Sequence, residues 1–171
     1  MALPAIGAEY HLKAVTLTWV MMAFMLATAV FLVPFGRLAD LHGRVRIFRA
    51  GLGLFTAVSV LLALAPTGEA LIALRAAQGL GSAMVFCTAT PILLASVPPA
   101  GRGRALGINV AAVYLGLALG PSLGGLLTRH LGWHAIFWLT AGLGGAALAL
   151  AWTRLEDDRA GAAGGRFDVP G

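Results

Sequence analysis

A charged island, Gly36-Arg37-Leu38-Ala39-Asp40-Leu41-His42-Gly43-Arg44-Val45-Arg46, separates two apolar stretches, Ala14 to Gly36 and Ala50 to Gly68, that contain no ionisable side chain. Few folds are open to a chain with such runs. About 20 mostly apolar residues are enough for a helix to cross the hydrocarbon core of a bilayer. Inside that core a backbone satisfies its own N–H and C=O groups only as a helix or a closed barrel. The island is too short to be a domain, so the two crossings it joins form a hairpin.

The same alternation continues to residue 153 and yields five spans, roughly 15–35, 47–65, 70–96, 105–128 and 133–153. Charged residues make up 11% of the chain and hydrophobic residues 59%, where soluble domains carry about 25% charge. A water-soluble helical protein would interleave charged and apolar residues within each helix; these spans do not. The expected fold is therefore all-α, a polytopic helical membrane protein whose residues 1–153 form one bundle with no soluble domain. Residues 154–171 form a tail, acidic at Glu156-Asp157-Asp158 and then rich in Gly and Ala like a flexible linker.

The basic residues give the orientation. Arg37, Arg44, Arg46, Arg49, Arg102, Arg104, Arg154, Arg159 and Arg166 fall in alternate connections or the tail, while the other side holds only Lys13 and Arg129. By the positive-inside rule the island, the Arg102 connection and the C-terminus face the cytoplasm of a plasma (inner) membrane, and the N-terminus lies outside. This distribution also argues against nucleic acid as the partner of a chain with formal charge +5; the lipid bilayer is the partner it fits. Met1–Tyr10 lacks the basic segment and apolar core of a signal peptide. The single Cys87 lies within a span, so no disulfide framework exists.

Three constellations stand out from the apolar background. In the third span Arg75 lies roughly 7–8 Å below the outer end, at about 1.5 Å per residue. Gln78, Gly79 and Ser82 follow at three, four and seven residues, on the same face. An intramembrane Arg is costly, so this face looks into the bundle or a wet cavity, or the Arg snorkels to the interface. In the fourth span Gly116, Gly120 and Gly124 recur every fourth residue and offer a smooth groove to another helix. Pro121 removes a backbone donor there, and Gly125 completes a Gly pair. In the island, Gly36 and Gly43 suit a tight turn, and Asp40 among arginines suits an ion pair or a helix cap. His130 and His134 are four apart, but no third ligand accompanies them, so no metal site is expected. Trp19, Met22, Met25, Asn109 and Tyr114 are the side chains a substrate pocket would draw on, although such residues face lipid or core as readily.

Taken together, the three constellations resemble the major facilitator superfamily. Gly36–Arg46 looks like its signature loop between the second and third helices. Leu71–Ala83, with Arg75, Gln78, Gly79 and Gly81, is similar to its fourth-helix motif, and Gly116–Gly125 resembles the fifth-helix motif of its antiporters. Ala2–Ile6 and Phe167–Gly171 further resemble segments of the fourteen-helix drug:proton antiporter branch. On this resemblance the chain holds helices two to six of a major-facilitator N-terminal half. It would then need its missing helices or a second helical half to work. The resemblance implies proton-coupled antiport or efflux of hydrophobic or cationic small molecules, driven by the proton gradient with no cofactor. Asp40, Arg44 and Arg46, with Gly36 and Gly43, would form a cytoplasmic latch. Arg75, Gln78, Gly79 and Gly81 would serve proton coupling, and Gly116, Gly120, Pro121, Gly124 and Gly125 would pack against the other half.

Leu41 and Val45 stand where the family has basic residues, and His134-Ala135 replaces an Arg-Trp pair. No span contains Asp or Glu, so the chain carries the modulating Arg without the exchangeable acid. An uptake permease of the same superfamily and a truncated, non-transporting fragment or assembly partner are the alternatives. An enzyme is not expected, since no span pairs carboxylates or a nucleophile with a base.

Overall fold

The computed structural model describes residues 3–156. A short helix α1 (Leu3–Glu9) leads into α2 (Ala14–His42), α3 (Arg44–Ala63), α4 (Gly68–Ala95), a 3-10 turn at Pro99–Gly101, α5 (Arg102–Leu131) and α6 (His134–Arg154). Helices α2 to α6 are each long and apolar enough to cross a membrane. The protein is an all-α polytopic membrane protein, with no strand among the described residues. The tail expected beyond Glu156, including Phe167–Gly171, lies outside them.

Most of the island is helix rather than loop. Helix α2 runs through Asp40 to His42, and α3 begins at Arg44, so the turn between two crossings is Gly43 alone, with φ +99° and ψ 128°. A side chain is strained at such a φ, whereas glycine reaches it freely. One permissive residue reverses the chain, and its neighbours keep their helical hydrogen bonds. At the opposite end Thr67 caps α4, its Oγ1 accepting from the Ala70 N–H at 3.2 Å, and Glu69 in the first turn favours the helix dipole. Gly132, at φ +81°, breaks the chain between α5 and α6.

Helix α4 is the hub, packed most extensively against α2 and α3, and α6 packs chiefly on α3. Its glycines explain why. A Cβ on Gly79 would lie 2.6 Å from the Phe24 carbonyl oxygen and 2.9 Å from the Ala27 Cβ, both on α2. A Cβ on Gly81 would lie 2.8 Å from the Phe55 nitrogen and 2.9 Å from the Gly51 oxygen, both on α3. Two residues apart on a helix is about 200°, so this pair lets backbone approach backbone on opposite sides of α4. The Thr28 hydroxyl closes the first crossing by donating to the Gly79 carbonyl at 3.1 Å. Gly51 on α3 answers Gly81, since its own Cβ would meet the Met84 Cβ at 2.6 Å.

The end of the bundle away from Gly43 is closed by side chains from the N-terminus. Ile6 and Trp133 are buried in a cluster with Val20, Leu62, Leu71 and Phe137. The Trp133 indole donates to Glu9 Oε2 at 2.6 Å, and the Tyr10 hydroxyl donates to the Ala65 carbonyl at 2.7 Å. Burial first, and the Glu9 charge second, push the Tyr10 phenol above its ordinary value, which keeps it a donor. Helix α5 is different: none of its residues is buried, and the space over Gly116 and Gly120 is open.

Gly79→Ala is therefore expected to lower the thermal stability of the purified chain by about 1–3 kcal/mol, the usual cost of forcing atoms into a filled core. Gly120→Ala, facing open space, should leave the melting temperature of the chain in detergent within error of the parent.

Candidate functional site

Arg75 lies on the first half of α4, in the face turned toward α2, α3 and α6. Its Nη1 donates to Gln78 Oε1 at 2.7 Å and its Nε to the Val20 carbonyl at 3.3 Å. The guanidinium carbon also stands 4.9 Å from the Phe24 ring centroid and 5.9 Å from that of Phe137. Gln78, one turn on, is 1% exposed. Its amide nitrogen donates to Ser59 Oγ on α3 at 2.8 Å, and Ser59 in turn donates to the Phe55 carbonyl at 2.6 Å. The chain Arg75–Gln78–Ser59–Phe55 thus ties α4 to α3, while the Val20 contact ties it to α2.

A buried polar network lowers free energy only if every member is satisfied, because the low dielectric raises both the gain of a bond and the cost of a missing one. Ser59 and Gln78 meet that condition, and two aromatic faces add attraction to the Arg75 charge. Arg75 does not snorkel away: it points into a cavity of about 550 Å³ that it lines with Gln78, Phe24, Phe137, Gly120 and Pro121. Chemically, this is a mostly aromatic and aliphatic chamber with one fixed positive charge, one amide and the Thr140 side chain.

The structure brings together two of the three constellations that the sequence marks. Arg75 and Gln78 meet Gly120, Pro121 and Gly124 across this cavity. Pro121 lies inside α5, where its missing N–H takes away the donor that would bond the Leu117 carbonyl. Gly79 and Gly81 stand elsewhere, in the crossings of α4 with α2 and α3. Ser82 is buried. Gly116 lies on the open face of α5, and Gly125 is half-buried.

The island residues form a separate site at the other end of the bundle. Arg44 Nη2 and Nε donate to Asp40 Oδ1 at 2.9 and 3.1 Å, across the Gly43 turn. Both side chains are exposed, so Asp40 is held by an ion pair and not by capping. Gly36 packs against Cys87 of α4, where an added Cβ would still find ordinary contact at 3.9 Å. Arg46 is exposed on α3.

Several side chains singled out for a pocket are not in it. Trp19, Met22, Met25 and Tyr114 are exposed on the outside of the bundle, as is Asn109, whereas Met21 and Phe24 line the cavity. The stretch of α2 from Ala14 to Gly36 has no charge to mark its inward side, so one position along the helix decides the matter. His130 and His134 are on different helices, separated by Gly132. His134 stacks on Trp133 with ring centroids 3.7 Å apart, and its Nε2 stands 4.0 Å from Glu9 Oε1. Ser59 was missed by sequence reasoning. Its only signal was a hydroxyl at the middle of an otherwise aliphatic helix.

Two substitutions probe the network. Ser59→Ala is expected to cost about 1 kcal/mol, one hydrogen bond between neutral groups. Gln78→Leu should cost more, because it strands both the Arg75 guanidinium and the Ser59 hydroxyl. In a double-mutant cycle followed by thermal unfolding the two should couple by roughly 0.5–3 kcal/mol.

Comparison with known proteins places these features in context. The family model of the Major Facilitator Superfamily matches residues 1–169. Over its whole length the chain is 38% identical to the multidrug resistance protein Stp of Mycobacterium tuberculosis and covers 32% of it. It is 34% identical to the tetracenomycin C resistance and export protein of Streptomyces glaucescens, covering 32%, and 30% identical to the riboflavin transporter RibZ of Clostridioides difficile, covering 38%. The chain thus spans about a third of the length of the curated relatives it matches.

Proposed function

The chain belongs to the Major Facilitator Superfamily, and from that membership we propose that it is the helix-two-to-six portion of a proton-coupled exporter of hydrophobic or cationic small molecules in the plasma membrane. The observation that carries the proposal is the cavity where half-buried Arg75 and buried Gln78 face the Gly120-Pro121-Gly124 stretch of α5. A chamber walled by Phe24, Phe55 and Phe137 suits flat or lipophilic substrates by area and by ring stacking, without the dense hydrogen bonding that a sugar needs.

Arg75 supplies the electrostatic part. A fixed positive charge in a low-dielectric chamber favours the ionised form of any carboxylate brought near it. Asp40 and Glu69 stand at the ends of α2 and α4 and the apolar stretches between the helix ends hold no Asp or Glu, so the exchangeable acid of this reading comes from helices that complete the bundle. Protonation of that acid would weaken its hold on Arg75, and release of the proton would restore it. This is how a gradient would bias the bundle between two arrangements. Gly116 and Gly120, with open space over them, offer α5 as a close-packing surface for the completing helices, and Asp40 and Arg44 would contribute a latch at the cytoplasmic end. The names of Stp and the tetracenomycin C protein support export of organic compounds. The name of RibZ gives a riboflavin transporter with no direction, which leaves an uptake permease as the second reading.

The test is a chimera in which this chain replaces the matching third of Stp, reconstituted in proteoliposomes with a lipophilic fluorescent cation. Export should follow an imposed pH gradient and vanish when an ionophore collapses it. Arg75→Ala should slow it by about tenfold or more, the effect of losing a hydrogen bond to a charged group, ~1.5–3 kcal/mol. Transport indifferent to both the ionophore and the substitution would exclude proton coupling through Arg75. Gradient-driven accumulation in place of extrusion would favour the uptake reading.

A further inference from the structure

On the outer surface of the bundle, α3 and α6 enclose a groove of about 530 Å³ that the transport reading does not use. Arg46, Arg49, Ala50 and Gly53 line it from α3, and Leu148 and Trp152 from α6. The spacing is that of one helix face on each side: three, four and seven residues on α3, four on α6. Arg49 forms the floor. It is 8% exposed and donates to the carbonyls of Ala151 and Leu155, and its guanidinium carbon stands 4.5 Å from the Trp152 ring centroid. Arg46 is exposed at the mouth, close to the start of α3, and Trp152 is 63% exposed beside it. Deeper along α3 the groove stays open because Gly53 has no Cβ, and one built there would meet nothing within 4 Å.

From Arg46 to Gly53 is seven residues, about 10 Å along the helix. A site with a guanidinium and an indole at the polar end and a smooth aliphatic trough running inward has the polarity profile of a phospholipid. Arginine pairs with phosphate oxygens, tryptophan settles at the headgroup level, and basic pockets between transmembrane helices hold anionic headgroups. The groove is open at the surface of these helices, so a lipid reaches it without crossing them.

We propose that the α3–α6 groove is a binding site for an anionic phospholipid. Arg46 holds the phosphodiester, Trp152 flanks it, and one acyl chain lies over Ala50 and Gly53 against Leu148. Arg49 contributes its charge from below while keeping the end of α6 in place.

The full chain in phosphatidylcholine vesicles provides the test, with a minor fraction of lipid brominated on its acyl chains and either phosphatidylglycerol or phosphatidylcholine as the brominated species. The Trp152 contribution is isolated by difference against Trp152→Phe. Phosphatidylglycerol is expected to be enriched at Trp152 by roughly fivefold, the weight of one arginine at an anionic membrane surface. Arg46→Gln should bring the two lipids to parity, with helix content by circular dichroism unchanged because the side chain is exposed. Gly53→Leu, which fills the trough and leaves the charge, should reduce quenching by both lipids. Equal quenching by the two lipids in the parent chain, or a preference that survives Arg46→Gln, would overturn the proposal. Displacement of the lipid signal by inorganic phosphate would also overturn it, in favour of a soluble anion.

Discussion

Lipid tails are as apolar as leucine side chains, so helices in a bilayer gain little by hiding apolar surface from their surroundings, and they associate where backbones can come close. In this chain that condition is met at one helix. Gly79 admits α2 and Gly81 admits α3 to opposite sides of α4, and everything else follows from that sandwich. It fixes the face of α4 that carries Arg75 and Gln78, brings Ser59 within reach of the Gln78 amide, and sets α3 where α6 can lie against it. Helix α5 has no such anchor, and correspondingly it buries none of its residues.

The polar network is the second consequence. An arginine inside a membrane protein is expensive unless its donors are occupied, and here they are directed to the Val20 carbonyl, to Gln78 and, through the ring faces, to Phe24 and Phe137. Because Gln78 uses its oxygen for Arg75 and its nitrogen for Ser59, one amide joins α4 to α3, and Arg75 carries the link on to α2 at the Val20 carbonyl. The same arrangement leaves the charge at the wall of a chamber and not in the packed core, which is what a binding or coupling role demands.

The architecture was legible in the sequence because twenty-residue apolar runs between charged islands allow few other outcomes. The five crossings came from the apolar runs, while the cost of charge in lipid left Arg75 either facing inward or snorkelling to the interface. Other features were not legible for a physical reason. Between Ala14 and Gly36 helix α2 carries no charge on any face, so its sequence does not say whether Met21 or Met22 faces inward. The two glycines at 79 and 81 read as one motif, yet serve crossings on opposite sides, because a step of two residues nearly reverses direction on a helix. The polar island looked like a loop, since charge and glycine usually mark loops, but helix persists wherever a single residue can make the reversal.

That single residue has a mechanical consequence. Any change in the angle between α2 and α3 at this end must pass through the backbone torsions of Gly43, there being no slack on either side. Asp40 and Arg44 bracket those torsions and are joined at 2.9 Å. Scissoring of the two helices therefore changes the length of that ion pair directly, so that an exposed contact contributing little to stability becomes a spring gauge for the hairpin it spans.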